Sequence, residues 1–77
     1  MQRYNRIRIV LAERDITRTW LADQLGIHKG TVSKWCANLT QPSLITLYQV
    51  AEILDIEVRL LLHPTKKGTP LYDDVDG

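Results

Sequence analysis

The sequence predicts an all-α fold of five short helices. Three observations carry that expectation. Apolar residues recur at i, i+3 and i+4 along most of the chain, and residues suited to start and stop helices stand at the ends of those runs. No two neighbouring segments alternate apolar and polar with period two, which argues against a sheet.

Ile7, Val10 and Leu11 share one helical face and Asn5 is available as a cap, so a first helix is expected over residues 6–14. Asp15-Ile16 interrupts the pattern. Thr17 is a good N-cap for a second helix carrying Leu21, Ala22 and Leu25, and Gly26 stops it, because glycine adopts the left-handed conformation at little cost. Only Ile27 and His28 separate that glycine from a third helical stretch over 29–37, with Val32, Trp35 and Cys36 on one side and His28 placed to help cap it. Residues 38–42 form a loop by composition. Ser43 then caps a fourth helix with Leu44, Leu47, Ala51 and Leu54 in one stripe, and a short fifth helix over 57–62 presents Val58, Leu61 and Leu62 before Pro64 ends it. Residues 1–64 are therefore expected to form one domain and residues 65–77 a polar, acidic tail.

Composition narrows the function. Seventy-seven residues, 44% of them apolar, suffice for one small core. The chain carries no apolar run long enough for a membrane span, and no apolar h-region follows its basic start as a signal peptide would need. One cysteine, Cys36, excludes an internal disulfide and fits a reducing cytoplasm; with His28 and His63 it does not make a zinc-ligand spacing, so neither metal nor cofactor is expected. No phosphate loop, nucleophile elbow or paired carboxylates can be read, and an enzyme is not expected. Net charge is only +1, but residues 68–77 hold Asp73, Asp74 and Asp76 and no base, which leaves ten bases against six acids on residues 1–67. A basic body with an acidic tail fits a nucleic-acid binder, among other proteins.

Function points to residues 17–35. Two short helices joined by a tight turn with glycine make a helix-turn-helix. Leu21, Leu25 and Val32 are placed to lock the pair, Ala22 is small where the helices cross, Gly26 makes the turn, and Ile27 is expected to plug the gap beneath it. With Thr-Val-Ser-Lys-Trp over 31–35, Pro42-Ser43-Leu44 opening the fourth helix and Leu54-Asp55-Ile56 leading into the fifth, the chain resembles the phage repressor and Cro-like (xenobiotic response element) family of regulators from about residue 5 to 62.

The resemblance implies a lambda-repressor-like domain whose third helix enters the major groove of double-stranded DNA, as a homodimer on a palindromic site, in a bacterial or phage-infected cytoplasm at the nucleoid. Wheel geometry agrees independently. Trp35 and Cys36 fall within about 60° of Val32 and face inward, whereas Gly30, Ser33, Lys34 and Ala37 lie roughly 100–200° away and face out. Lys29 sits on the flank at the helix start, where base contacts usually concentrate, and with Gly30, Ser33 and Lys34 it makes the expected base-contacting set. Arg18, where the family commonly has a phosphate-contacting glutamine, is expected on phosphate with Thr17, Thr31, Asn38 and Thr40. Trp20 and Trp35 are expected in the core. Cys36 stands where many relatives carry a buried glutamate paired with an arginine of helix 1, and its thiol suggests an apolar contact instead. Leu60 is expected to point outward near Leu62, Leu71 and Tyr72 and to supply a dimer contact.

A small sequence-specific regulator is the favoured function. A protein-interaction module of the same fold, such as an antitoxin subunit, is the alternative. The 77 residues leave no room for a separate small-molecule domain, so control is expected to come from concentration, partner or operator arrangement.

Overall fold

The chain stops its helices the same way four times. The computed structural model describes residues 3–66, and within them α1 spans Ile7–Glu13, α2 Arg18–Leu25, α3 Lys29–Cys36 and α4 Leu44–Leu54, followed by a 3-10 turn at Val58–Leu61. Just past each α-helix comes a residue with positive φ: Asp15 at 60°, Gly26 at 70°, Asn38 at 58° and Asp55 at 57°. Glycine, asparagine and aspartate are the residues that visit this region most readily. The following residue then donates its N–H five positions back, Ile16 to Leu11 (2.9 Å), Ile27 to Ala22 (3.0 Å), Leu39 to Lys34 (2.9 Å) and Ile56 to Ala51 (3.0 Å). This Schellman closure satisfies carbonyls that a helix end otherwise leaves open. Ile16 and Ile56 also fold onto the core. Leu39 does not, and is 62% exposed; the residue it reaches back to is Lys34, not an apolar one.

Helix starts follow the expected chemistry at three points. The Thr17 hydroxyl accepts from the Trp20 N–H at 3.0 Å, the Ser43 hydroxyl from the Thr46 N–H at 3.1 Å, and the Asn5 Oδ1 from the Ile7 N–H at 3.0 Å. His28 occupies the N-cap position of α3, but its side chain makes no capping bond.

The core draws on every element: Ile7, Val10 and Leu11 from α1, Leu21 and Ala22 from α2, Val32, Trp35 and Cys36 from α3, Leu47, Val50, Ala51 and Leu54 from α4, and Leu61. Each fully buried aliphatic side chain among them contributes about 1.5–3 kcal/mol relative to exposure. Leu25 is half-buried against this cluster. The two ends of the domain are tied together by an antiparallel bridge between Asn5 and Leu62, with Arg6 N–H donating to the Leu61 carbonyl (2.7 Å) and His63 N–H to that of Tyr4 (3.0 Å).

Four expectations are corrected. Leu44 is 69% exposed, because the buried stripe of α4 runs Leu47, Val50, Ala51, Leu54 and leaves Leu44 on the flank. Trp20 is 42% exposed, since only the Leu21–Ala22 side of α2 meets the core. The fifth helix is a four-residue 3-10 turn, so Leu62 leaves it in extended conformation and is 40% exposed. Leu60, expected outside, is half-buried. The tail residues Leu71, Tyr72, Asp73, Asp74 and Asp76 lie outside the described residues. Among the described residues no helix is long and apolar enough to cross a membrane.

Candidate nucleic-acid interface

A cap, a turn and a tight crossing set the geometry of α2 and α3. Thr17 adopts extended φ/ψ (−84°, 155°) and hands the chain into α2. Gly26 (70°, 33°) ends that helix in the left-handed region, where a side chain would be strained. Ile27 and His28 then carry the chain over, and α3 begins with the Thr31 N–H bonded to the His28 carbonyl at 3.0 Å. Leu21, Ala22 and Val32 close the crossing, each at most 2% exposed. Ile27, expected as a plug, is 36% exposed and instead rims an open depression of about 370 Å³ that Trp35, Thr46 and Gln49 also line.

This packing turns one face of α3 outward. Lys29, Gly30, Lys34 and Ala37 are exposed, Thr31 and Ser33 half-buried, and Val32, Trp35 and Cys36 buried. The wheel reading holds for Gly30, Lys34 and Ala37 outside and for Val32, Trp35 and Cys36 inside, whereas Ser33, expected outside, is half-buried. Lys29 and Lys34 are five residues apart, about 7.5 Å along the axis. No acidic residue stands in α3, so the helix itself supplies no counter-charge to either ammonium group. Gly30 is informative because the protein's own packing does not require it: a Cβ there would meet nothing within 4 Å. Glycine costs up to about 1 kcal/mol in a helix relative to alanine, and no intramolecular contact offsets that.

Arg18 opens α2 and is exposed, beside the cap Thr17, which is exposed too. Arg18 and Arg8 of α1 both lie close enough to Cys36 to favour its thiolate, although burial dominates and pushes the thiol above its ordinary range. The three residues come from three helices, and both arginines act electrostatically on the C-terminal end of α3. Arg8 escaped the sequence reading because the α1–α3 contact that brings it there is non-local and leaves no pattern in the chain.

The loop after α3 departs from expectation. Thr40 is exposed, but Asn38 is 8% exposed and its side chain points inward. Its Oδ1 accepts from the backbone N–H groups of Tyr4 and Asn5, both at 2.9 Å, and its Nδ2 donates to the Asn5 carbonyl at 3.1 Å. The loop N–H groups are spent as well: Asn38 donates to Trp35 at 2.9 Å, and Leu39 and Thr40 to Lys34 at 2.9 and 3.5 Å. The Asn38 side chain is thus engaged within the fold, which argues against the phosphate contact expected of it.

The helix-turn-helix family profile matches residues 7–61. Among solved structures, the chain is similar to a Bacteroides fragilis protein described as a candidate DNA-binding protein, at 49% identity and a TM-score of 0.75, over 77% of this chain and 95% of that one. No curated protein matches it. The profile spans the same helices whose turn, crossing and caps were traced above, and on that agreement the chain belongs to the helix-turn-helix family, in its repressor and Cro-like group.

Proposed function

We propose that the protein binds double-stranded DNA sequence-specifically, with α3 in the major groove, and acts as a small transcriptional regulator. The observation that carries this reading is the outward face of α3: Lys29, Gly30 and Lys34 exposed together, with no acid in the helix and no intramolecular reason for the glycine. Lysines at base edges read guanine, Ser33 and Thr31 at the flank add hydroxyl contacts, and Gly30 lets the backbone approach. Arg18, with Thr17 and Thr40, holds the phosphates, and Arg8 joins them. The similar Bacteroides fragilis protein supports the same partner. Fluorescence anisotropy against a duplex selected from a random library tests it. Lys29→Ala and Lys34→Ala each weaken binding by about 1–3 kcal/mol if they read a base; unaltered binding in both variants excludes α3 as the reader.

A second copy is the partner proposed for the protein itself. One recognition helix covers few base pairs, and a two-fold dimer supplies the other half-site. The surface that favours this is Leu44, Ile45 and Tyr48 on α4, exposed by 69%, 74% and 57%. They lie within an uncharged run from Trp35 to Ala51, so two basic bodies could meet there without like charges in the contact. This patch replaces Leu60 as the proposed contact.

A further inference from the structure

Asn38 does two separable things. Its backbone ends α3 in the left-handed region, at φ 58°, and its side chain reaches 33 residues back to the N-terminal segment. Asn5 returns the contact: its Nδ2 donates to the Trp35 carbonyl in the last turn of α3 at 2.9 Å, and to the Gln41 Oε1 at 2.8 Å. Gln41 closes the ring by donating from Nε2 to the Asn38 Oδ1 at 3.2 Å. Asn5 is 3% exposed, and among the described residues no buried side-chain polar atom is left without a partner. Asn5 and Asn38, the buried members of this ring, tolerate little displacement, because a shift leaves a donor or acceptor unpaired in a low-dielectric setting.

The ring touches α3 at its C-terminal end only. Its N-terminal end is set by the Gly26 turn. Helix α3 is therefore held at both ends, and the second hold is a tertiary clamp between side chains rather than part of the helix-turn-helix. We infer that Asn5 and Asn38 are positioning residues for the recognition helix, fixing its angle in the groove through the Trp35 carbonyl and the Asn38 turn without touching DNA themselves. This deepens the DNA-binding reading and rests on it. The expected signature is loss of discrimination between sequences, not loss of general affinity. A tilted reading helix misplaces Lys29 and Lys34 against base edges, while phosphate contacts, which carry no sequence information, adapt more readily.

Two substitutions separate the clamp from local backbone needs. Asn38→Gly keeps a residue that accepts φ 58° and removes only the side-chain clamp. Asn5→Ser keeps a hydroxyl to cap the Ile7 N–H and removes the donation to Trp35 and Gln41. Both are compared with wild type on the library-selected duplex and on a random-sequence duplex across a salt series, and amide exchange is followed at Tyr4 and Asn5 in the free protein. Gln41→Ala, which removes the exposed corner of the ring and takes one partner from the Asn5 Nδ2 while leaving its donation to Trp35, serves as a milder variant should either fail to fold. The inference expects faster exchange at Tyr4 and Asn5 in Asn38→Gly, an unchanged salt slope, and a fall of about tenfold in the specific-to-random affinity ratio, roughly the weight of one base contact. Gln41→Ala should shift the ratio the same way by less. A folded Asn38→Gly or Asn5→Ser protein that keeps the wild-type ratio overturns it. Wild type that binds neither duplex instead overturns the DNA-binding reading; the clamp is then judged on exchange at Tyr4 and Asn5, and wild-type protection in Asn38→Gly refutes it.

Discussion

The guanidinium of Arg14 donates to the backbone carbonyl of Leu54 at 3.0 Å, so the residue that follows α1 closes the C-terminus of α4, 40 residues away. The Leu54 carbonyl is among the last of its helix, where the backbone leaves acceptors open and the dipole favours a cation. Arg14 is exposed, so solvent weakens the gain. Arg14→Ala is expected to lower stability by about 0.5–1.5 kcal/mol, the ordinary range for one such bond. Urea unfolding checks it: the midpoint should fall with the slope unchanged. A midpoint equal to wild type would mean that water caps α4 equally well.

Leu47 and Ile45 are two residues apart on α4 and face opposite ways. Leu47 is 5% exposed, Ile45 74%. Leu47→Ala should cost about 2–5 kcal/mol through lost burial and a cavity, a large share of the stability such a small domain commands. Ile45→Ala in the free protein should stay within about 0.5 kcal/mol. Thermal melts of the two variants give the comparison, and equal losses would contradict the placement of α4.

The helix boundaries were legible because each rests on local chemistry. Asp15-Ile16, Gly26-Ile27, Asn38-Leu39 and Asp55-Ile56 are the same signal four times: a residue tolerant of positive φ, then an apolar one. Thr17 and Ser43 likewise cap as their type predicts. The buried side of α3, Val32, Trp35 and Cys36, followed from periodicity, whereas the exposure of Lys29 comes from its place at the helix start. What periodicity could not supply was which neighbour covers a given flank. Trp20 and Leu44 both sit at helical spacing from core residues, yet neither joins the core cluster. The Asn5–Asn38 pair was invisible for a different reason. Asparagine after a helix is common for its backbone tolerance alone, and a partner 33 residues away has no sequence signature. A loop asparagine in a DNA-binding motif looks like a phosphate ligand until its burial is known.

Cys36 is 1% exposed, and burial raises its pKa more than Arg18 and Arg8 lower it. The folded state therefore holds the thiol proton at a pH where the unfolded chain has begun to release it. Stability from this group is fully present below the unfolded thiol pKa and is lost as pH rises through that value toward the folded one. Alkaline titration of the urea midpoint should show this decline, and Cys36→Ala should flatten it. Because the thiolate is the reactive form, native Cys36 should also react slowly with a thiol reagent at neutral pH and rapidly in urea. Fast modification of the native protein would contradict the burial.

Arg18 and Arg8 both act electrostatically on Cys36 at the end of α3, and both are proposed as phosphate contacts. Each phosphate neutralised releases condensed counterions, so removing one such contact should reduce the slope of log affinity against log salt by about one unit. Arg18→Ala and Arg8→Ala are each expected to do so, weakening selected and random duplexes alike. A variant that changed base preference with the slope intact would be reading sequence instead, and its arginine would have to be reassigned.

Association through α4 gives the last test. Leu44 and Tyr48 are one turn apart, with Ile45 beside them, and all three remain exposed in the single chain. In a two-fold dimer the same three residues meet their own copies, so one charge introduced on the patch appears twice in the interface and opposes itself. Ile45→Glu should therefore abolish association while leaving the fold intact, since position 45 is largely exposed in the single chain. Sedimentation of wild type and Ile45→Glu, each with and without the selected duplex, reads this directly. Wild type should run as a dimer on a palindromic site and Ile45→Glu as a monomer with weakened binding. If wild type remains monomeric while saturating such a site, the dimer is wrong. If Ile45→Glu dimerises as well as wild type, association uses another surface, and Leu62, 40% exposed beside the N-terminal segment, is the next to substitute.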